Sequence, residues 1–271
     1  GIVDRLDAEK IPVFGPPKRA ARLESSKIFS KQFMIRHSIP TAAAADFKDF
    51  QSFKQAVERS NGAMVVKKNG LASGKGVLES EDKEEMLAFG AEILKTDSLL
   101  FEEFLNGYEI SLFALTDGST YTLLPPTADF KKAFDGDKGP NTGGMGAICP
   151  VPVVDSKMIA RIRTEIVEPT FKGMEEEGLQ YKGVLYFGLM VTKKGPYLLE
   201  YNARFGDPET QVLLPVINSD FLSICEAVYG GKLSQFSLQI SGDSTLGVVV
   251  ASPGYPGDHP VDIPVTAIPK T

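Results

Sequence analysis

The sequence has little cysteine or histidine, no excess of positive charge and no long apolar run. Cys149 and Cys225 are far apart with no C-x-x-C pair, and only His37 and His259 could assist them. Neither a zinc site nor a disulfide framework is therefore expected, and a reducing cytoplasm fits better. A net charge of −6 argues against a nucleic-acid partner or a membrane surface, though not against a local cationic pocket. No apolar stretch approaches the ~18 residues that a bilayer-spanning helix needs. Also missing are an initiator Met and a signal-peptide pattern. The chain opens on GIVD and stops soon after the apolar run LGVVVA and a Pro-rich tail, so a piece of a longer protein is expected.

What is there is ordinary for a globular protein of one to two domains: 271 residues, 42% of them apolar and 24% charged. A helix-like start leads to a brief strand in IPVFGPP. Residues 18–37 carry Leu23, Ile28, Phe29, Phe33 and Met34 at helical spacing, which predicts an amphipathic helix pair broken near Glu24-Ser25-Ser26. Helices are also expected at DFQSFKQAVERS, 82–94, 157–177 and 221–229. AMVVK is a short buried strand, and a strand–turn–strand follows around Asp117-Gly118. Residues 129–147 predict one long Gly- and Lys-rich loop, and 178–210 a hairpin of alternating apolar strands turning at Lys193-Lys194-Gly195. The class is α+β with mostly antiparallel sheets.

Four segments carry chemistry. KKNGLASGKG nearly matches the G-x-x-x-x-G-K-[ST] phosphate loop, but only three residues separate Gly70 from Gly74, and Gly76 stands where a metal-binding hydroxyl belongs. Its glycines let backbone N–H groups approach a polyanion, with Lys67 and Lys75 adding charge. On residues alone a solvated hairpin tip is the commoner fate of so short a pattern. In YLLEYNARFGDPET, alternation puts Glu200 and Asn202 on one strand face, a pair of hard oxygen ligands suited to a divalent ion beside phosphates. A polar strand edge fits that pattern equally well. Arg204, Asp207 and Glu209 follow and could bind a small zwitterion or form a salt-bridged loop. FEEFLNGYE offers a strand end with Glu102, Glu103 and Glu109. DKGPNTGGMGA has too little apolar content to pack without a ligand.

In this order the segments resemble an ATP-grasp ligase and, more narrowly, the glycinamide ribonucleotide synthetase family of purine biosynthesis. ESSKIFSKQFMIRHSIPT, GLASGKGV, EEFLNGYE, GPNTGGMGA and RFGDPETQ carry the likeness over nearly the whole chain. The resemblance implies two α+β subdomains clamping a nucleotide. Residues 1–22 would be the tail of a substrate domain and 23–245 the ATP-grasp domain, with a lid over 40–106 and a larger subdomain over 107–245. Residues 246–271 would begin a C-terminal domain. The implied reaction joins glycine to 5-phosphoribosylamine with ATP, through glycyl phosphate, giving ADP and phosphate; fusion to further purine-pathway domains is also implied. Lys27 and Lys67 would contact the ATP phosphates, and Gly70, Ser73, Gly74, Lys75 and Gly76 would form the flap. Glu102, Glu103, Phe104 and Leu105 would hold adenine, Glu109 the ribose, and Glu200 and Asn202 a Mg²⁺ or Mn²⁺ ion. Arg204 and Asp207, with Asn141, Thr142, Gly143 and Gly144, would line the glycine and phosphoribosyl side. Asp129 and Lys131 would join Arg204 and Asp207 at the catalytic centre. The chain departs from the family pattern at Lys68-Asn69, Ser73 and Phe130, which bears on turnover more than on ATP binding. Another ATP-grasp enzyme, such as a biotin or aminoimidazole ribonucleotide carboxylase, and a nucleotide-binding module without catalysis stay open.

Overall fold

The computed structural model describes residues 1–71 and 76–264. A short helix, α1 (Ile2–Ala8), opens the chain. The IPVFGPP segment after it forms no strand, only the single bridge Gly15–Lys182. The expectation fails because Pro12, Pro16 and Pro17 each remove a ladder donor. Next come α2 (Arg22–Ser25) and α3 (Lys27–Arg36), divided at Ser26. The break is an N-cap: Ser26 is extended and its Oγ accepts from the Phe29 N–H.

The smaller of two four-stranded sheets contains β1 (Ala44–Phe47), β2 (Met64–Lys68), β3 (Val77–Ser80) and β4 (Leu99–Glu103), antiparallel throughout in the order β1-β4-β2-β3. Helices α4 (Phe50–Arg59) and α5 (Lys83–Leu94), capped by Asp49 and Asp82, pack their apolar faces on it. Phe53, Val57, Val66, Met86, Leu99 and Phe101 make the core between them. A methyl at Gly90 would lie 2.1 Å from Phe53 Cε1, so glycine is what lets α5 close on α4.

Residues 104–107 lead into β5 (Tyr108–Thr116) and β6 (Tyr121–Leu123). The segment expected as one long loop instead holds β7 (Ala128–Asp129), the hairpin β8 (Lys132–Phe134) with β9 (Lys138–Asn141), and the start of β10 (Gly146–Cys149). Gly136, Asp137 and Gly139 supply the left-handed backbone of the hairpin turn, and the Phe134 ring packs over Gly139. Helix α6 (Ser156–Ile162), a π turn Arg163–Val167 and α7 (Glu168–Glu176) fulfil the single helix expected over 157–177.

Strands β11 (Gly183–Val191) and β12 (Pro196–Asn202) complete the larger antiparallel sheet, ordered β12-β11-β5-β6. Its centre is buried on both faces. Leu112, Leu185, Phe187 and Leu189 pack with residues of α3, α6 and α7. Phe113, Leu115 and Val184 pack under α8 (Glu209–Leu213) and α9 (Phe221–Tyr229). Burial on two faces explains why β11 is continuously apolar where alternation was expected. Finally β13 (Thr245–Val248) pairs with β10, so the domain boundary expected at 246 falls inside a strand of the body.

Candidate active site

One cavity of about 1240 Å³ lies between the two sheets, walled by β2, β4, β12, α3 and the 129–142 segment. Lys27 and Lys31, one turn apart on α3, both line it. The α3 N-terminus is stitched to the base of the glycine-rich turn. Asn69 Oδ1 accepts from the Ile28 N–H and the Ser26 hydroxyl, each at 3.0 Å, and the Asn69 carbonyl accepts from the Lys27 N–H. These amides are thus satisfied by protein, and it is the Lys27 side chain that carries positive charge to the cavity. Asn69 serves here as the joint between turn and helix.

Below Lys27, Glu102 is 2% exposed between two cations: Lys31 Nζ lies 2.8 Å from Oε1 and Lys67 Nζ 2.6 Å from Oε2. Burial would raise the Glu102 pKa, but Lys67 and Lys31 outweigh it and hold it below the ordinary carboxylate value. Burial likewise opposes the Lys67 ammonium, yet Glu102 and Glu200 keep its pKa above the usual lysine value. For Lys27 and Lys31 burial prevails and lowers both, against Glu200 and Glu102 respectively.

Glu200 and Asn202 reach the cavity because β12 contains a bulge. Gly188 pairs with Glu200 but Leu189 pairs with Leu198, leaving Leu199 without a partner. Leu198 and Tyr201, three residues apart, both enter the core, while Leu199, Glu200 and Asn202 line the cavity. Strict alternation from Leu198 would have sent Glu200 inward. Among the described residues, no hydrogen bond or ion pair engages the Glu200 carboxylate. Asn202 Oδ1 makes one long contact, 3.5 Å, with the Arg204 guanidinium, itself paired to Glu24 at 3.0 Å. A carboxylate and an amide oxygen fit a hard divalent ion whose remaining ligands are phosphate oxygens and water. No cluster of three or more His, Cys, Asp or Glu exists among the described residues to form an all-protein metal cage.

On the opposite wall Lys131 pairs with Glu109 and lies 3.8 Å from Asp129. Burial pushes Asp129 up to about 6, with Lys131 opposing and the Glu209 and Glu109 charges adding. For Lys131 burial works against the charge, but Glu109 and Asp129 raise its pKa above the ordinary value. Glu209 is itself buried and accepts from Ser111 Oγ at 2.9 Å, which meets the Tyr186 hydroxyl at 2.8 Å. Phe130 presents its ring to the cavity, half exposed.

Of the residues expected at the site, Lys27, Lys67, Gly76, Glu102, Phe104, Leu105, Glu109, Asp129, Lys131, Asn141, Thr142, Glu200, Asn202 and Arg204 line this one cavity. Ser73, Gly74 and Lys75 lie outside the described residues. The structure does not bring the remaining five into the lining. Gly70 N–H donates to Asp97, and Glu103 turns to the Ala43 N–H. Asp207 accepts from Gln211. Gly143 N–H donates to Tyr255, and Gly144 packs where a methyl would lie 2.4 Å from Pro208 Cδ. The sequence reading passed over Lys31 and Glu24. For Lys31 the signal was present as a second lysine four residues after Lys27.

The two-sheet clamp around this cavity is an ATP-grasp fold. The family profile for the ATP-grasp (A) domain of phosphoribosylglycinamide synthetase matches residues 25–210, and the chain belongs to that family. Phosphoribosylamine–glycine ligase from Thermotoga maritima superposes with a TM-score of 0.82 at 39% identity, over 90% of this chain and 63% of that one. Phosphoribosylamine–glycine ligase from Streptococcus pyogenes is 44% identical over 98% of this chain and 64% of its own length. The trifunctional purine biosynthetic protein adenosine-3 of Gallus gallus is 44% identical over all of this chain and 28% of its own length. The chain thus spans less than two thirds of the relatives it matches. Membership in an ATP-grasp family implies ATP with a divalent metal. Among the described residues no helix is long and apolar enough to cross a membrane.

Proposed function

We propose that this chain is the ATP-grasp part of a cytoplasmic ligase that joins glycine to 5-phosphoribosylamine. A glycine carboxylate oxygen attacks the γ-phosphorus of ATP and ADP leaves. The amine of phosphoribosylamine then attacks the carbonyl carbon of glycyl phosphate, loses a proton, and phosphate departs as glycinamide ribonucleotide forms. The observation that carries this reading is the convergence of Lys27, Lys67, Glu200, Asn202 and the 129–142 wall on one cavity.

In this reading Lys27 and Lys67 hold the phosphates and set the γ-phosphate in line with the carboxylate. Glu200 and Asn202 would hold Mg²⁺ or Mn²⁺, which when bound neutralises phosphate charge. Phe104 and Leu105 face the base and Glu109 the ribose, while the Glu102 carboxylate, expected at the base, is held between Lys31 and Lys67 instead. Asp129, Lys131 and Arg204 serve the acceptor side, where Asp129 is placed to hold a proton. Attachment to further purine-pathway domains goes with this reading, the chicken relative being named a trifunctional purine biosynthetic protein.

The test is ADP release by the protein carrying this chain, which is expected to need ATP, glycine and phosphoribosylamine together. Release driven by bicarbonate in place of glycine would overturn it in favour of a carboxylase. A second reading, nucleotide binding without turnover, is favoured by Phe130, which puts an apolar ring where the family has a polar donor. Mg·ATP binding without any glycine-dependent ADP would decide for it.

A further inference from the structure

Lys31 is a cavity-wall residue to which the reading above gives no task. Its side chain is 4% exposed. Its ammonium donates to Thr41 Oγ1 at 2.5 Å and to the Ala42 carbonyl at 3.1 Å, and forms an ion pair with Glu102 Oε1 at 2.8 Å, an oxygen that accepts no hydrogen bond among the described residues. So buried and surrounded, the ammonium is committed to protein oxygens. The Thr41 hydroxyl donates in turn to the Leu198 carbonyl at 2.7 Å, beside the bulge that aims Glu200. Lys31 therefore ties β4 of the smaller sheet to β12 of the larger one.

Its effect on Lys67 follows from the shared carboxylate. Glu102 divides its two oxygens between the two lysines. A buried carboxylate with a single cation would direct its whole attraction to that cation. We infer that Lys31 is a positioning residue for nucleotide binding: by occupying Glu102 Oε1 it limits the hold of Glu102 on Lys67, leaving Lys67 donors free to meet phosphate oxygens. This rests on the ATP reading proposed above. Lys31 touches no phosphate itself and acts through Glu102.

Calorimetric titration with Mg²⁺ and a non-hydrolysable ATP analogue tests it by a double-mutant cycle. Lys31→Met is expected to weaken binding by about tenfold or more. In a Glu102→Gln background, where no carboxylate is left to capture Lys67, the same substitution should change affinity by less than about threefold. A residue that only held the fold together would lower the melting temperature equally in both backgrounds and leave the affinity of the folded protein unchanged. Unaltered affinity in Lys31→Met, or an equal loss in both backgrounds, overturns the inference. If the single variant does not fold, comparing Lys31→Met/Glu102→Gln with Glu102→Gln suffices, and a tenfold difference between those two overturns it. Failure of the unsubstituted protein to bind the analogue would instead bring down the ATP reading, and this inference with it.

Discussion

Glu200 faces the cavity without a partner among the described residues, whereas Glu24, Glu102 and Glu109 are each held by a cation. On that contrast we propose Glu200 as the carboxylate available to a metal. Glu200→Gln and Asn202→Ala are each expected to weaken Mg²⁺-dependent binding of ATP by about tenfold or more. An affinity that stays the same across a Mg²⁺ titration would count against the assignment. Asp129 makes a different prediction. Its pKa is raised from 3.8 to about 6, so the folded state favours the protonated carboxyl. The resulting stability is full below pH 3.8 and is lost as the pH rises through about 6. Asp129→Asn should therefore stabilise the protein at pH 8 by roughly 1–3 kcal/mol, less whatever Lys131 loses, with no gain near pH 3.5. Thermal melts at the two pH values check this, and an equal shift at both would contradict it.

Among the elements, those with strong local signals were legible in sequence. The Ser26 break, the Asp49 and Asp82 caps, the 221–229 helix and the Lys-Lys-Gly hairpin all follow from capping and turn chemistry. What escaped depends on partners distant in the chain. The β8–β9 hairpin is hidden in a segment with almost no apolar pattern, and the outward turn of Glu200 depends on pairing between β11 and β12. The pairing of Lys131 with Glu109 likewise joins strands that spacing alone does not connect. Gly90 shows the same limit. Mid-helix glycine reads as a weakness until Phe53 is found pressed against it. Gly90→Ala, which by helix propensity alone should stabilise α5, is expected to cost about 1–3 kcal/mol through overpacking. Denaturant unfolding showing a gain would refute the packing argument.

At the scale of the molecule, the smaller sheet meets the body through residues 104–107, the α3 contacts and the Lys31–Thr41–Leu198 chain. A ligand in the shared cavity should therefore protect both units at once. Adding the Mg²⁺-bound ATP analogue is expected to slow amide hydrogen exchange in β2, β4 and β12 together. Protection confined to one sheet would mean that the nucleotide does not bridge them.

The unpaired Leu199 makes a one-residue mismatch between two paired strands a chemical requirement. One residue inserted opposite it in β11 would leave every neighbour chemically intact yet close the bulge and roll the strand's end over, driving Glu200 into hydrocarbon and Tyr201 into water. Ordinary substitutions at this strand can be graded by size and polarity. A single added residue that evens the two strands exchanges inside for outside, and the proposed cation ligands go with it.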